Sequence, residues 1–192
     1  MKNEIVQYLS KYIELTEELE NALSDNLLIR EYPKGTVLLR EGELCNECFL
    51  ILKGLIRSYY LKEEGDEITT DFHMEEQVAS PSCFGSSTPS DLFLECLEDT
   101  VAFVGTPQME SDMFLKFPQL ETMSRVMGEK IMANYKDSYD TFKMSSPEQR
   151  YLNLVETNYD LIQRAPQYQI ASFLGMKPES LSRIRKRLSK SK

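Results

Sequence analysis

The stretch QYQIASFLGMKPESLSRIRKRL, residues 167–188, decides how this chain is read. Ile170 and Leu174 stand one helical turn apart and can face a core, and Ala171 is small enough for two helices to cross closely there. Gly175 predicts the end of that helix, because the sharp turn needs a residue at ease in the left-handed region. Met176 fills the turn. Pro178 suits the start of a second helix, where its missing N–H costs nothing. Leu181, Ile184 and Leu188 then form a buried stripe at i, i+3 and i+7. The pattern is a helix-turn-helix that leaves Lys177, Glu179, Ser180, Ser182, Arg183, Lys186 and Arg187 off the stripe.

A second helix of this kind fits a DNA major groove with its N-terminal half nearest the bases. Arg183 has the forked donor set for guanine, and Glu179 can accept from a cytosine amino group. Ser180, Ser182 and the helix N-terminus can hold phosphates, while Arg185, Lys186 and Arg187 can anchor to the backbone of the duplex. Gln167, which opens the first helix, completes the set of candidate DNA contacts. An ordinary αα-corner on a basic surface has the same apolar pattern, so the distribution of charge carries the distinction.

That distribution is uneven. The 192 residues hold 22 Lys and Arg against 31 Asp and Glu, a net charge of −9, which argues against nonspecific nucleic-acid binding by the chain as a whole. Residues 1–143 contain 13 basic and 27 acidic groups, whereas residues 144–192 contain 9 basic and 4 acidic. Within 177–192, Lys177, Arg183, Arg185, Lys186, Arg187, Lys190 and Lys192 face one acid, Glu179. A basic module on an acidic body meets a polyanion at one end while the body repels it. Hydrophobic residues at 41% fit a globular chain with a real core. The longest apolar runs, Phe49 to Leu52 and Val101 to Val104, are far short of the ~20 residues a membrane span needs. No signal-peptide stretch stands at the N-terminus, so a cytoplasmic protein without a membrane partner is expected.

Upstream, residues 4–30 read as helical, with a fresh N-cap at Thr16. From Pro33 the grammar becomes short β-rich runs: Thr36 to Leu39, Cys48 to Leu52, Leu55 to Leu61, Glu67 to Phe72, Leu92 to Leu97 and Thr100 to Val104. Turn signals such as Lys53-Gly54 and Glu64-Gly65-Asp66 separate them, which predicts an antiparallel sandwich or barrel. After Pro107 the helical period returns. Residues 119–143 make one long helix of nearly ~40 Å, in which Leu120, Met123, Met127, Ile131 and Tyr135 step by threes and fours. That stripe packs either on its own β domain or on a twin helix. Ser146, Pro147 and Glu148 then start a further helix running to about Gln163.

Taken in order, PKGTVLLREGE (33–43), FLILKG (49–54), the long helix and IASFLGMKPESLSRIRKRL (170–188) make the chain resemble the Crp/Fnr family of bacterial transcription regulators from about residue 25 onward. The resemblance implies an α+β fold. Residues 1–117 would form an antiparallel β-roll of the cyclic nucleotide-binding type (jelly-roll or cupin-like), 118–143 a dimerisation helix, and 144–192 an all-α helix-turn-helix domain. It implies a homodimer on an inverted repeat in double-stranded DNA, with recognition helices about 34 Å apart. RNA polymerase is a further partner of such a regulator. The family's base-contacting positions fall on Glu179 and Arg183, with Ser180 in the same region.

Two departures shape the expectations. Cyclic-nucleotide binders carry Gly-Glu and then an arginine in the phosphate cassette, but here CFGSSTPSDLFLECLED (83–99) has Ser86 after Gly85 and no Lys or Arg. An anionic nucleotide without its counter-charge is disfavoured, so cAMP is not expected and no cofactor is assigned. An unidentified small neutral effector would find donors at Gly85, Ser86, Ser87, Thr88 and Ser90, but a plain loop is the better reading of them. Only four residues follow Leu188, so contacts from a β-wing are expected to be absent.

Other constellations are set aside. Cys45 and Cys48 have redox or metal-ligand spacing, but Cys83, Cys96 and the single His73 would have to converge on them for a four-ligand site. No metal and no enzyme activity are expected: there is no P-loop, Rossmann glycine triplet or HExxH, and a cupin-type metal site needs more histidines. The alternative reading is an effector- or partner-binding β-roll whose C-terminal domain no longer reads DNA.

Overall fold

The computed structural model describes residues 2–25 and 27–190. Two short helices, α1 (Lys2–Ser10) and α2 (Glu17–Asp25), precede eight strands: β1 (Ile29–Tyr32), β2 (Val37–Leu39), β3 (Cys48–Lys53), β4 (Ile56–Leu61), β5 (Glu67–His73), β6 (Val78–Ala79), β7 (Phe93–Cys96) and β8 (Thr100–Gly105). The strands form two antiparallel four-stranded sheets. Sheet A has the order β1-β8-β3-β6 and sheet B the order β2-β7-β4-β5. Phe49, Ile51, Ala102 and Val104 of sheet A meet Leu39, Ile56, Leu94 and Cys96 of sheet B, which closes a dry sandwich core. Alternation along β8, in which Thr100, Ala102 and Val104 are buried and the residues between them half-buried, shows the period of two that a packed sheet requires.

Six helices follow: α3 (Pro107–Lys116), α4 (Pro118–Met144), α5 (Pro147–Thr157), α6 (Tyr159–Arg164), α7 (Gln167–Phe173) and α8 (Pro178–Lys190). Prolines open α3, α4 and α5, and Ser146 closes a full capping box with Gln149 at the start of α5. The predicted sandwich and the long helix are present. The helical reading of 4–30 is corrected: the segment makes two helices and then strand β1, whose edge pairing with β8 outweighs the local helical pattern. The predicted helix to Gln163 is interrupted at Asn158, whose backbone leaves the helical region at φ −144° while its N–H closes on the Leu154 carbonyl.

The C-terminal helices do not hang free of the β-roll. Tyr151, Leu154, Leu161, Ile162, Ile170, Leu174, Leu181 and Ile184 share one buried cluster with Leu55, Phe72 and Leu97 of the strand region. α7 covers β5, the outer strand of sheet B. There the Ser172 hydroxyl accepts from the Thr69 N–H at 3.0 Å and donates to the Glu67 carbonyl at 3.1 Å, standing in for a missing strand partner. Phe72 and Phe173 meet edge to face with ring centroids 5.4 Å apart.

Candidate nucleic-acid interface

The helix-turn-helix is built as the residues dictate. Ala171 is fully buried where α7 and α8 approach. Gly175 turns the chain at φ +65°, and the Met176 N–H closes on the Ala171 carbonyl. A Cβ at Gly175 would stand 3.1 Å from Phe142 Cζ and 3.2 Å from Arg150 Nη1, so the conformation calls for glycine and the space beside it is tight. Arg150 fastens this corner. Its Nη1 donates to the Leu174 carbonyl at 2.8 Å, its Nε to the Ser145 carbonyl at 3.2 Å, and its guanidinium lies 3.9 Å over the Phe142 ring.

Leu181 and Ile184 are buried and Leu188 half-buried, which fixes the rotation of α8 about its axis. Lys177, Glu179, Ser182, Arg183, Arg185, Lys186 and Arg187 are consequently exposed, and Ser180 is half-buried. Pro178, Glu179, Ser182 and Arg183 line one shallow concavity at the N-terminal half of the helix. It brings together an acceptor, a hydroxyl and a forked donor, the chemistry that base edges present and require. Other candidates have partners within the protein at its exposed surface: Arg187 pairs with Glu148 at 2.7 Å, and Arg185 donates to the Gln167 side chain, which itself donates to the Ile162 carbonyl at 3.3 Å. Lys192 lies outside the described residues.

The loop expected to hold an effector is occupied by its own hydrogen bonds. The Gly85 N–H goes to the Cys45 carbonyl, Ser86 N–H and hydroxyl to the Cys83 carbonyl, Thr88 N–H to Ser86 Oγ, and Ser90 Oγ to the Leu92 carbonyl. Ser87 is exposed. Gly85, Ser86 and Ser90 are thus engaged within the protein, and none of Gly85, Ser86, Ser87, Thr88 and Ser90 lines the apolar cavity beside α4.

The five residues of the long-helix stripe divide. Leu120 is buried in its own chain against Leu19, Ala22 and Phe117, so it is not available to a second helix, contrary to the sequence reading. Met123 and Met127 are half-buried; Ile131 and Tyr135 are exposed, and the Tyr135 hydroxyl is hydrogen-bonded to Asp71. Toward its C-terminal half α4 presents Met132, Tyr135 and Tyr139 at 71%, 53% and 60% exposure on one face.

The cysteines are buried or half-buried thiols without disulfides. Burial, and then the neighbouring Cys83, push Cys45 up to about 12, while burial and the charge of Glu110 push Cys48 up to about 11. Such thiols are poor nucleophiles and poor ligands. Among the described residues no three His, Cys, Asp or Glu side chains are gathered to hold a metal ion. His73, at the end of β5, shares a hydrogen bond of 2.9 Å with Ser58, and burial lowers its pKa.

Two arginines were missed by the sequence reading. Arg164 donates to Glu75 at 2.8 and 2.9 Å, to Glu98 at 2.8 to 3.2 Å, to Asp160 at 3.2 Å and to the Gly54 carbonyl at 2.9 Å, and so ties α6 to the β-roll. Burial opposes ionisation of Glu75, but the hydrogen bonds from Arg164 and the Gly54 N–H prevail and hold its carboxyl down at about 2. Arg57, only 1% exposed, joins Glu67 at 2.6 Å and Glu95 at 2.9 Å and stiffens the strand on which α7 docks. Most of the partners that define their roles are distant in sequence: Glu75 and Glu98 lie 89 and 66 residues from Arg164, and Glu95 lies 38 from Arg57.

The fold is a two-sheet β-roll followed by a long helix and a helix-turn-helix whose second helix, α8, is exposed on one face. Residues 29–108 match the cyclic nucleotide-binding domain family. The chain is 28% identical over 185 residues to the fumarate and nitrate reduction regulatory protein of Escherichia coli strain K12, covering 87% of this chain and 72% of that protein. FixK2 of Bradyrhizobium japonicum superposes with a TM-score of 0.73 at 19% identity, over 86% of this chain and 85% of that one. A chain from Eubacterium rectale, assigned to the Crp/Fnr family of transcriptional regulators, gives 0.69 at 18% identity over 96% and 88%. The chain is thus similar, over most of its length, to regulators of the Crp/Fnr type, and it shares their fold. Among the described residues no helix is long and apolar enough to cross a membrane.

Proposed function

We propose that this chain regulates transcription as a homodimer that reads an inverted repeat in double-stranded DNA and does not respond to cAMP. The observation that carries the reading is the exposed patch of Pro178, Glu179, Ser182 and Arg183 on a helix whose opposite face is locked into the core. Arg183 pairs with a guanine, Glu179 accepts from a base amino group, and Lys177 and Lys186 hold phosphates. The exposed face of Met132, Tyr135 and Tyr139 supports pairing through α4, because a row of large apolar side chains left in water is a buried surface in waiting. The lack of any Lys or Arg within 83–99 and the hydrogen bonds made by Gly85, Ser86 and Ser90 support the exclusion of an anionic nucleotide.

Fluorescence anisotropy with duplexes selected from a random pool tests this. Selected DNA should bind far more tightly than random DNA, and Arg183→Ala should cost about 1–3 kcal/mol on the selected site while leaving random DNA nearly unchanged. Equal affinity of the native chain for both would instead favour a β-roll protein with a degenerate DNA-binding domain. Micromolar cAMP binding by titration calorimetry would overturn the reading of the loop.

A further inference from the structure

Only Ser145 and Ser146 stand between α4 and α5, and both are engaged. The Ser145 carbonyl accepts from Arg150 Nε at 3.2 Å, and Ser146 caps α5. Beyond them the helix-turn-helix module is held at three places, each on a different part of the fold. Phe142, near the end of α4, lies under the Arg150 guanidinium, whose Nη1 reaches the Leu174 carbonyl at the corner between α7 and α8. Ser172 of α7 bonds in both directions to the edge of β5. Arg164 of α6 spans Gly54, Glu75 and Glu98, which stand in three different turns of the β-roll.

The long helix is tied to the same strand, since the Tyr135 hydroxyl is bonded to Asp71 of β5. One strand therefore carries both α4 and the first helix of the helix-turn-helix. A module with a single attachment swivels about it, whereas this one moves only if packed surfaces part. DNA is as exacting in its own geometry. One extra base pair between two half-sites carries the second about 3.4 Å along the axis and about 35° around it. Hydrogen bonds to base edges fail over less than ~1 Å, so two recognition helices in a fixed relation accept one separation.

We propose that Arg164 and Ser172 are positioning residues for DNA reading: by docking the helix-turn-helix on the β-roll they fix the separation of the two recognition helices in a dimer, and with it the half-site spacing the protein accepts. Neither side chain is among the DNA-contacting candidates. The inference rests on the reading of the chain as a dimeric DNA reader, and extends it from which bases are contacted to how far apart they must lie.

Anisotropy titrations well below each variant's thermal midpoint test this with the selected inverted repeat, the same repeat with its spacer shortened or lengthened by one base pair, and a duplex holding a single half-site. The native chain should bind the best spacing roughly 100-fold more tightly than its neighbours, because a misplaced half-site loses its base contacts. In Arg164→Ala that preference should fall to roughly tenfold or less, with affinity for the single half-site within about twofold of native. Ser172→Ala removes two hydrogen bonds and no charge; it should flatten the spacer profile in the same way, and it serves if Arg164→Ala folds poorly. A loss of stability alone would lower binding to every duplex by one factor. The inference is overturned if the native chain accepts neighbouring spacings equally while still preferring selected to random DNA, if both variants keep the native profile, or if they lose affinity for all duplexes alike. Tighter binding of the best duplex by the variants overturns it too, since the dock would then hold α8 away from DNA. A native chain that does not distinguish selected from random DNA is the separate failure of the DNA-reading function, and it removes the ground of this inference.

Discussion

Replacing Arg164 by alanine tests whether the helix-turn-helix domain is bolted to the β-roll. The guanidinium is 17% exposed, and its partners Glu75 and Glu98 are 39% and 33% exposed. Breaking a fully buried pair costs about 3–5 kcal/mol and an exposed pair about 0–1. This cluster lies between those limits, because solvent screens the carboxylates while the Gly54 carbonyl and three acids all lose a donor. A loss of about 2 kcal/mol is expected, read as a lower urea midpoint at pH 7. The pH dependence has a definite sign. Glu75 is held at about 2, below its ordinary 4.5, so its contribution is complete above pH ~4.5 and is lost as pH falls through ~2. The gap between native and Arg164→Ala midpoints should therefore narrow from pH 5 downward. Hydrogen exchange at the Thr69 amide, which donates to Ser172, should quicken in the variant because the docked face opens more often. Equal midpoints at pH 7, or a gap unchanged between pH 5 and pH 3, would refute the reasoning.

Gly175→Ala should destabilise the C-terminal domain by about 1–2 kcal/mol in thermal unfolding, since the left-handed backbone and the nearby Phe142 ring both oppose a methyl group. Lys186→Ala should weaken selected and random DNA alike and reduce the slope of log affinity against log salt by about 1 in anisotropy titrations, because a phosphate contact carries no sequence information. Tyr139→Asp should shift the mass measured by light scattering toward the monomer, the cost of placing a charge on the exposed face of α4.

Much of the molecule is legible before any coordinates. Spacing within 167–188 gave the two helices, their turn and the buried stripe, because helix-turn-helix geometry is local: Gly175, Pro178 and the i, i+3, i+7 stripe act over one or two turns. The exposed candidates on α8 followed from the same stripe by elimination. Strand β6, only two residues long, and β1, hidden behind helix-like spacing, exist because a neighbouring strand offers them hydrogen bonds, and no property of their own residues announces that. Leu120 reads like the rest of its stripe, yet α2 reaches it first.

What the sequence by itself determined is therefore the kind of elements, the basic character of the C-terminal module and the outward face of α8. All rest on interactions between residues a few positions apart. The tertiary structure alone decided that Arg164 meets Glu75 and Glu98 across 89 and 66 residues, that Ser172 caps the edge of β5, and that α2 covers Leu120. Those are long-range encounters, set by how the sheets and helices pack, and a one-dimensional pattern holds no record of which distant surfaces will touch.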